Sequence, residues 1–453
     1  DSRCRGLGLG KKLKAHQLAR AQELKDEKGE PRYRFSTGRN RVGLTDAMTH
    51  VNRQFGAYTV EVLSGQYEGE SQALYYRIPL KPWSPGPPLE LTAETPAASV
   101  DCASGIFRPL ASPPESLVQA RNHGALYGPA VNKITLCNYV TPAIVRAIEW
   151  VTALVPRLPH FYLCSSRDEA FDKALKLMKS HRPEAVTALG FGGGYVGHTS
   201  AAARSLSDPD VHRAGPAYFD FGRIAHPAQG GLEKSLDELR ARAESAGGAE
   251  RILGLFVEVV QERTGYSLDT LSASAVSQLC SEMGIPIVAV ETTTSCYRSG
   301  LGAFAGDALG LAHDAKIWWG GGHVAYVHVS SEYFVPTPLT MVSTWDGDEL
   351  SLIRNHHQLR ATRNLDVPEL SRTLEKALEP VLAAGYPVHG LGLYRVIHAG
   401  AAGQALKSRF ERAGVRVGIL PGGSLVWAPP LDLNAETVHK LGDVISEVMS
   451  CGS

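Results

Sequence analysis

The sequence predicts an α/β protein built on a mostly parallel central sheet, and one unit of the chain supports most of that prediction. Residues 252–260 (ILGLFVEVV) and 285–290 (IPIVAV) are apolar at successive positions, which is typical of strands covered on both faces. A stretch of helical length, 272–283, lies between them, and Gly284 supplies the glycine that commonly ends a helix. Further apolar runs of strand length lie at 185–191 and 317–319. Strands that alternate with helices in this way indicate a parallel sheet with crossover helices.

Three regions are expected along the chain. Residues 1–95 form an N-terminal arm that has a basic start and ends in the proline-rich linker 82–88 (PWSPGPP). Residues 96–335 form a large domain, although its beginning, near 96–140, contributes to a smaller lobe. Residues 336–453 form the rest of that lobe, which is of the α+β type. Its last strands and closing helix are expected at 415–420, 425–428 and 435–449.

Composition excludes several classes of protein. The 453 residues are enough to bury a large core. The 46 basic side chains are balanced by 46 acidic ones, so no net charge attracts nucleic acid or an anionic membrane. No run approaches the roughly 20 apolar residues of a membrane-spanning helix. The chain is therefore expected to be soluble, with neither a nucleic-acid partner nor a membrane span.

The cysteines bear on the compartment. There are seven, and none forms a CxxC pair, so neither a disulfide framework nor a zinc site is indicated, and no metal site is predicted. A reducing compartment is favoured, either the mitochondrial matrix or the cytoplasm. The chain begins with Asp1 rather than methionine, which is compatible with removal of a leader or a tag.

Ordered motifs run through residues 95–450. They are CSSRDEA (164–170), GGYVGHT (193–199), EVVQ (258–261), GIPIVAVE (284–291) followed by RSG (298–300), STW (343–345) and LVWAPPL (425–431). Each also has an ordinary structural explanation. Ser166-x-x-Glu169 is a helix capping box, a tyrosine in a glycine-rich turn can pack on the core, and a Glu/Gln pair can end a strand in solvent. In this order and spacing, however, the motifs resemble those of the class III aminotransferases, closest in pattern to the GABA aminotransferase and lysine 6-aminotransferase branch.

The resemblance implies the fold type I aminotransferase fold, a site for pyridoxal phosphate (PLP), and a homodimer. By this likeness the turn at Ser165 and Ser166 binds the PLP phosphate through backbone N–H groups, and the ring of Tyr195 stacks on the pyridine. The Glu and Gln of EVVQ face cofactor and substrate at the end of a strand, and Thr344 reaches the phosphate bound by the neighbouring subunit. The pocket residues so assigned are Ser165, Ser166, Tyr195, Glu258, Gln261, Val290 and Thr344.

Three departures from the family pattern fall on the groups that PLP chemistry needs. Val290 stands where the family has the aspartate that pairs with the pyridinium nitrogen. Val426 stands where it has the arginine that clamps a substrate carboxylate. The position of the Schiff-base lysine falls on Gly320 or Ile317, depending on the register. Lys316 is the only lysine nearby, and it is a weak candidate for that role.

We therefore expect an aminotransferase-like protein that has lost Schiff-base catalysis, binds no cofactor and acts as a structural or regulatory subunit. Its N-terminal region is expected to dock it in a larger assembly. Two alternatives remain open. The chain could be an active PLP-dependent aminotransferase, or a PLP-independent enzyme on the same fold, that uses a non-standard lysine such as Lys316. It could instead be a sensor that binds PLP or a related phosphate non-covalently.

Overall fold

The computed structural model describes most of the chain, in two compact units. The described residues are 9–25, 35–41, 51–52, 54–55, 57–63, 73–79, 100–103, 105–106, 109–117, 140–211, 217–343 and 345–450. The first unit is Asp1–Glu94 with Val118–Asn132, and the second is Thr95–Leu117 with Lys133–Ser453. The predicted linker at 82–88 lies outside the described residues, and the predicted boundary near residue 335 falls within the second unit. The division into three regions stays a prediction.

The first unit contains a helix and a small antiparallel sheet. Its elements are α1 (Leu9–Glu23), β1 (Phe35–Arg41), β2 (Tyr58–Leu63) and β3 (Ala73–Pro79). Strand β3 lies in the middle and pairs antiparallel with both β1 and β2. Leu18 of α1 and Ile78 of β3 are buried in one apolar cluster, so the helix packs on the sheet.

The second unit alternates strands and helices before it reaches a C-terminal α+β part. In chain order its first elements are β4 (Val100–Asp101), α2 (Pro142–Leu154), β5 (His160–Cys164), α3 (Arg167–His181), β6 (Thr187–Phe191), α4 (Ala201–Leu206), β7 (Gly222–Ile224), α5 (Pro227–Gly230), α6 (Leu232–Ser245), β8 (Ile252–Glu258), α7 (Thr270–Met283), β9 (Ile287–Val290), α8 (Ala305–Ala308), β10 (Ala315–Trp319) and β11 (Ala325–Val329). They are followed by α9 (Glu349–Thr362), α10 (Val367–Ala377), α11 (Glu379–Ala383), β12 (Val388–Leu391), β13 (Tyr394–Ile397), α12 (Gly403–Arg412), β14 (Val415–Arg416), β15 (Gly418–Ile419), β16 (Leu425–Trp427) and α13 (Ala435–Ser450).

The central sheet has seven strands in the order β5-β11-β10-β9-β8-β6-β7. Strands β10, β9, β8, β6 and β7 run parallel, whereas β11 is antiparallel to its neighbours β10 and β5. The predicted α/β class, with a mostly parallel sheet and flanking helices, is therefore confirmed.

The unit β8-α7-β9 matches the sequence pattern well. Every residue of β8 and β9 is buried, as expected for strands covered on both faces. Gly284 ends α7 in the left-handed conformation, with φ of 67°, and its N–H bonds back to the last turn. Parallel pairing aligns Glu258 with Val290, and Val290 with Ile317. These three side chains therefore leave the same face of the sheet, near the carboxyl ends of adjacent strands.

Different helices cover the two faces of the sheet. Phe171 of α3 belongs to the same buried cluster as Val290 and Ile317, so α3 covers the face that carries Glu258. Val276 of α7 shares a second buried cluster with Ala289 of β9, so α7 covers the opposite face. Which face a strand residue points to thus decides which helix it meets.

The C-terminal part has a second sheet, in which β12, β13, β16 and β15 pair antiparallel in that order. The single strand predicted at 415–420 is wrong. It divides into β14, which pairs parallel with β4, and β15, which pairs with β16. The two halves belong to different sheets, because the strand with which each half pairs depends on the tertiary structure rather than on a local sequence pattern.

Two further findings apply to the described residues. None of the helices within them combines the length and apolar character that crossing a membrane requires. They also contain no group of three His, Cys, Asp or Glu side chains that could hold a metal ion. The cysteines described there as buried and free are Cys102, Cys164, Cys280 and Cys296.

Candidate functional site

Three of the predicted site residues meet at the carboxyl ends of β6 and β8. The Glu258 carboxyl group accepts a hydrogen bond from the Tyr195 N–H at 2.6 Å. The Gln261 amide donates to the Gly192 carbonyl at 2.9 Å and accepts from the Thr264 hydroxyl at 2.6 Å. All three residues are buried, so these polar groups bond to the protein itself.

Glu258 is electrostatically unusual. Its carboxyl oxygens accept the N–H groups of Tyr195 and Glu262. Burial nevertheless raises the pKa of Glu258 to about 8, because the loss of hydration outweighs those hydrogen bonds. A mostly protonated carboxyl group therefore ends β8 at neutral pH.

The ring of Tyr195 already has protein partners. The Arg263 guanidinium lies 4.0 Å from the ring centroid and that of Arg167 lies 4.8 Å from it, both within cation–π range. The Tyr195 hydroxyl lies 2.7 Å from Nδ1 of His198, and Arg167 is also ion-paired with Glu262. With Tyr195 only 2% exposed, its ring has almost no surface left for a planar ligand.

The turn before α3 binds one of its own carboxylates. The Ser166 hydroxyl caps the helix and accepts the Glu169 N–H at 3.2 Å, while the Glu169 carboxylate accepts the Ser165 N–H at 2.6 Å. The Ser165 hydroxyl donates to the Trp345 carbonyl. The local geometry is that of a capped helix, and the Ser165 N–H, which the resemblance offers to a phosphate, is bonded to Glu169.

Asp168 fills a second group of N–H donors. Its Oδ2 accepts the backbone N–H groups of His198 at 3.0 Å, Thr199 at 2.6 Å and Ser200 at 3.4 Å. Gly197 permits this approach, because it has φ of 129° and a Cβ there would lie 2.2 Å from Asp168 Oδ1. Successive N–H groups of a loop attract anions, and here the anion comes from the first turn of α3.

A cavity of about 580 Å³ opens beside these carboxylates. Its wall includes Asp168, Glu169 and Asp172 of α3, together with Trp319 of β10. Burial and the charges of Asp168 and Glu169 raise the pKa of Asp172. The cavity has the size of a small-molecule pocket, but three neighbouring carboxyl groups oppose the entry of a phosphate dianion.

The space next to Val290 is closed. Val290 is 2% exposed and lies in a buried cluster with Val196 and Ile317. Gly320, one of the two positions predicted for the lysine, lies against Asn355, because a Cβ on Gly320 would be 2.7 Å from Asn355 Cγ. A cavity of only about 10 Å³ lies beside Gly320, which is room for one water molecule at most.

Lys316 lies on the face of the sheet opposite Tyr195 and Glu258. It pairs with Ala289 rather than with Val290, and side chains of paired residues on parallel strands point the same way. The structure therefore does not bring Lys316 together with the other predicted site residues.

Two lysines, Lys173 and Lys316, are buried in the described part of the chain, and the amine of each forms an ion pair with a carboxylate. The Lys316 amine contacts the Asp307 carboxylate and lies 3.5 Å from that of Glu291, and neither Lys316 nor Glu291 is exposed. Lys173 of α3 donates to the Asp346 carboxylate at 2.5 Å and to a main-chain carbonyl at 2.7 Å.

The last two predicted positions lie in the C-terminal motifs. Val426 packs in an apolar cluster with Val260, Tyr394 and Val396, where the resemblance would put an arginine for a substrate carboxylate. Thr344 lies outside the described residues.

The chain has the fold of the PLP-dependent class III transaminases. It is similar to lysine aminotransferase from M. tuberculosis in the internal aldimine form, with a TM-score of 0.69, 20% identity, and 77% of this chain and 89% of that chain covered. It is also similar to an amine transaminase from an uncultivated Pseudomonas species in the PLP-bound form, with a TM-score of 0.67, 17% identity, and coverage of 78% and 90%. A transaminase from the marine bacterium Virgibacillus is similar as well, with a TM-score of 0.64, 18% identity, and 74% of this chain and 84% of that chain covered. No family model matches the chain, and no curated protein matches it in sequence.

In this structure, the groups that the resemblance assigns to PLP have partners within the chain. A phosphate would compete with Glu169 for the Ser165 N–H, and a pyridine ring would have to displace the Arg263 guanidinium from Tyr195. The wall of the 580 Å³ cavity carries three carboxyl groups against the single guanidinium of Arg167, and the Lys316 amine lies on the other face of the sheet.

Sequence reasoning missed three side chains of this site, namely Arg167, Asp168 and Arg263. A signal existed for Asp168, because an acidic residue in the first turn of a helix is expected to meet N–H donors. That these donors belong to the loop after β6 depends on the tertiary structure, and the sequence around Asp168 does not indicate it. No local pattern marks Arg263, whose ring partner lies in a different loop.

Proposed function

We propose that this chain is a non-catalytic protein on the aminotransferase fold, in which its own side chains occupy the former cofactor site, and that it serves as a structural or regulatory subunit. The observation that carries the proposal is the position of Lys316. Its amine is held by Asp307 and Glu291 on the sheet face opposite Tyr195. A ring stacked on Tyr195 is therefore out of reach of this amine.

The hydrogen bonds and ion pairs around Tyr195 supply a second line of support. The carboxylates of Asp168 and Glu169 accept hydrogen bonds from loop N–H groups, and the Arg263 guanidinium makes a cation–π contact with the ring of Tyr195. These internal contacts take the place of contacts that a bound phosphate and pyridine would otherwise make. The fold can then be complete without a cofactor, which is what a structural subunit requires.

The experiment is a PLP-trapping assay on the purified chain. The protein is incubated with PLP and either dialysed or reduced with borohydride, and modified lysines are located by peptide mass spectrometry. Lys316→Arg is the matched control, because it keeps the positive charge next to Glu291 and removes the reactive amine. We expect both proteins to lose PLP on dialysis and to carry no specific lysine adduct.

Two outcomes would overturn the proposal. A stoichiometric adduct on Lys316 that is missing from Lys316→Arg would establish the active-enzyme alternative. PLP that survives dialysis without an adduct, and that inorganic phosphate displaces, would establish the sensor alternative.

We also propose that the chain forms a homodimer, as the resemblance implies, and that its N-terminal region docks it in a larger assembly. Large apolar side chains near the first turns of α2 and α9 are exposed, at 63% for Val140, 44% for Trp345 and 52% for Leu350. Thr141 donates to the Glu349 carboxylate at 2.5 Å, which links these two helix starts. Light scattering is expected to give twice the mass of the chain, and a monomer at all concentrations would contradict this.

A further inference from the structure

An aromatic and cationic surface lies on the outer side of α2 and α9. The two helices pack together, and Ile144 and Val151 of α2 share a buried cluster with Leu359 of α9. On the outer side, we define the Trp150 patch as Arg146, Trp150, His356, His357, Arg360 and Arg363.

Trp150 is the centre of the patch. The guanidinium groups of Arg360 and Arg363 lie 5.9 Å and 5.6 Å from its ring centroid, and the His356 ring meets it edge-on at 5.6 Å. Arg146 precedes Trp150 by one helical turn, so the two side chains share a face of α2. The three arginines are exposed, and the guanidinium groups of two of them, Arg360 and Arg363, lie next to one indole ring.

These charges lack ion-pair partners among the described residues. None of the three arginines takes part in an ion pair there. The acidic residues that follow these arginines at a spacing of three in the sequence are Glu149, which is exposed on α2, and Asp366, whose carboxylate accepts the N–H of Glu369 to begin α10. Burial and the neighbouring cationic groups lower the pKa of His356 to about 4 and also lower that of His357. The patch therefore has a positive excess on a chain whose formal net charge is zero.

A purely structural explanation covers only part of this arrangement. Arg360 and Arg363 stand at the carboxyl end of α9, where a basic residue is favoured by the helix dipole. Arg146 stands in the first half of α2, where the dipole gives it no such advantage. The like charges of the patch repel each other, and a partner of opposite charge would relieve that repulsion.

We propose that the Trp150 patch binds an acidic peptide segment of a partner protein. Guanidinium groups bind carboxylates through two parallel hydrogen bonds, and a partly buried indole between them offers an apolar contact to the same segment. Arg360 and Arg363 lie one turn apart, so carboxylates at a similar separation on the partner fit them. Nucleic acid fits less well, because three cations on a chain with no net charge neutralise few phosphates. The inference goes beyond the proposed function and does not depend on it.

The test measures binding of a fluorescein-labelled oligoglutamate peptide by fluorescence anisotropy, with single-stranded oligodeoxythymidine as the nucleic-acid probe. The variant Arg360→Glu/Arg363→Glu reverses the two charges next to Trp150. The control Arg240→Glu/Arg412→Glu makes the same change in net charge on α6 and α12, which form no part of the patch. We expect the patch variant to weaken peptide binding about tenfold or more, and the control to leave it within about twofold.

Thermal unfolding of both variants separates binding from folding, because loss of a helix-dipole contact lowers the unfolding temperature without a change in peptide affinity. As a variant that preserves folding, Arg360→Gln/Arg363→Gln removes the charges without reversing them and is expected to weaken binding in the same direction. Equal loss of binding in the patch variant and the control, no loss in either, or tighter binding of oligodeoxythymidine than of oligoglutamate would overturn the proposal.

Discussion

Replacing Asp168 by asparagine removes the carboxylate of α3 that accepts hydrogen bonds from the loop after β6. In the wild type, Oδ2 of Asp168 accepts the N–H groups of Thr199 at 2.6 Å, His198 at 3.0 Å and Ser200 at 3.4 Å. Asparagine has the same shape, but it has no charge and only one acceptor oxygen, and its amide group repels an N–H donor. The loop is therefore expected to lose at least one of these hydrogen bonds and the charge that strengthens the others.

The size of the effect follows from solvent access. A hydrogen bond to a charged group contributes about 1.5–3 kcal/mol when its loss leaves a buried donor. His198 and Thr199 are exposed, so water replaces much of what their N–H groups lose. We expect Asp168→Asn to reduce the free energy of unfolding by about 1–2 kcal/mol, and to accelerate hydrogen exchange at the amides of His198 and Thr199.

Asp172→Asn is the matched control. Its carboxyl group lies on the same helix and lines the same cavity, but among the described residues its one hydrogen bond is that accepted from the Ser200 hydroxyl, at 2.9 Å. Because burial and the charges of Asp168 and Glu169 raise the pKa of Asp172, neutralising it removes a repulsion and should change stability little. The reasoning is refuted if Asp168→Asn leaves the exchange of these loop amides unchanged, or if Asp172→Asn accelerates it equally.

Three further predictions concern the sheet. Lys316→Met leaves the buried Glu291 carboxylate without its cation and is expected to lower the free energy of unfolding by about 3–5 kcal/mol in denaturant titrations. The double variant Lys316→Met/Glu291→Gln should recover part of that stability, and no recovery would contradict the pairing. Gly320→Lys must displace Asn355 and is expected to lower the unfolding temperature without creating transaminase activity or a PLP adduct; efficient transamination would disprove the claim of a dismantled site. Glu258 keeps its proton in the folded state between its ordinary pKa of 4.5 and about 8, so the folded chain binds more protons than the unfolded one and stability should fall as the pH rises through that window. Glu258→Gln should flatten this dependence in thermal melts, and an unchanged slope would assign it to another group.

The elements that sequence reasoning predicted well are those with local causes. Apart from Glu258 at the end of β8, strands β8 and β9 carry no charged or polar side chain, because both of their faces are covered. Gly284 ends α7 because only glycine readily adopts its positive φ. The strand at 415–420 failed for the opposite reason. Its residues suit a strand throughout, but its two halves pair with different sheets, and partner choice depends on the whole fold.

The site also combines features with local causes and features that depend on the whole fold. Because side chains alternate along a strand, a residue next to Val290 in the sequence points away from it. In the structure, Glu291 accepts the N–H groups of Ala305 and Gly306 and lies near Lys316. The occupation of the Tyr195 ring by Arg263 could not be predicted, because the contact joins two loops whose spacing depends on the sheet.

The pairing of β10 with β9 also bears on how this chain and a lysine-bearing relative could be converted into one another. Ile317 faces the α3 side and Lys316 the other, so the two arrangements differ by one position of strand register. A deletion or insertion of one residue in the turn before β10 would exchange those faces in a single event, which no series of point substitutions does. It would also invert Trp318, whose ring stacks on Tyr326 at 4.0 Å in the core. An amine on the Tyr195 side thus requires either this shift, with the repacking of a whole strand, or a lysine at position 317, whose side chain would enter the buried apolar cluster under α3. Protein engineering that aims at such a change should therefore compare a changed loop length with Ile317→Lys.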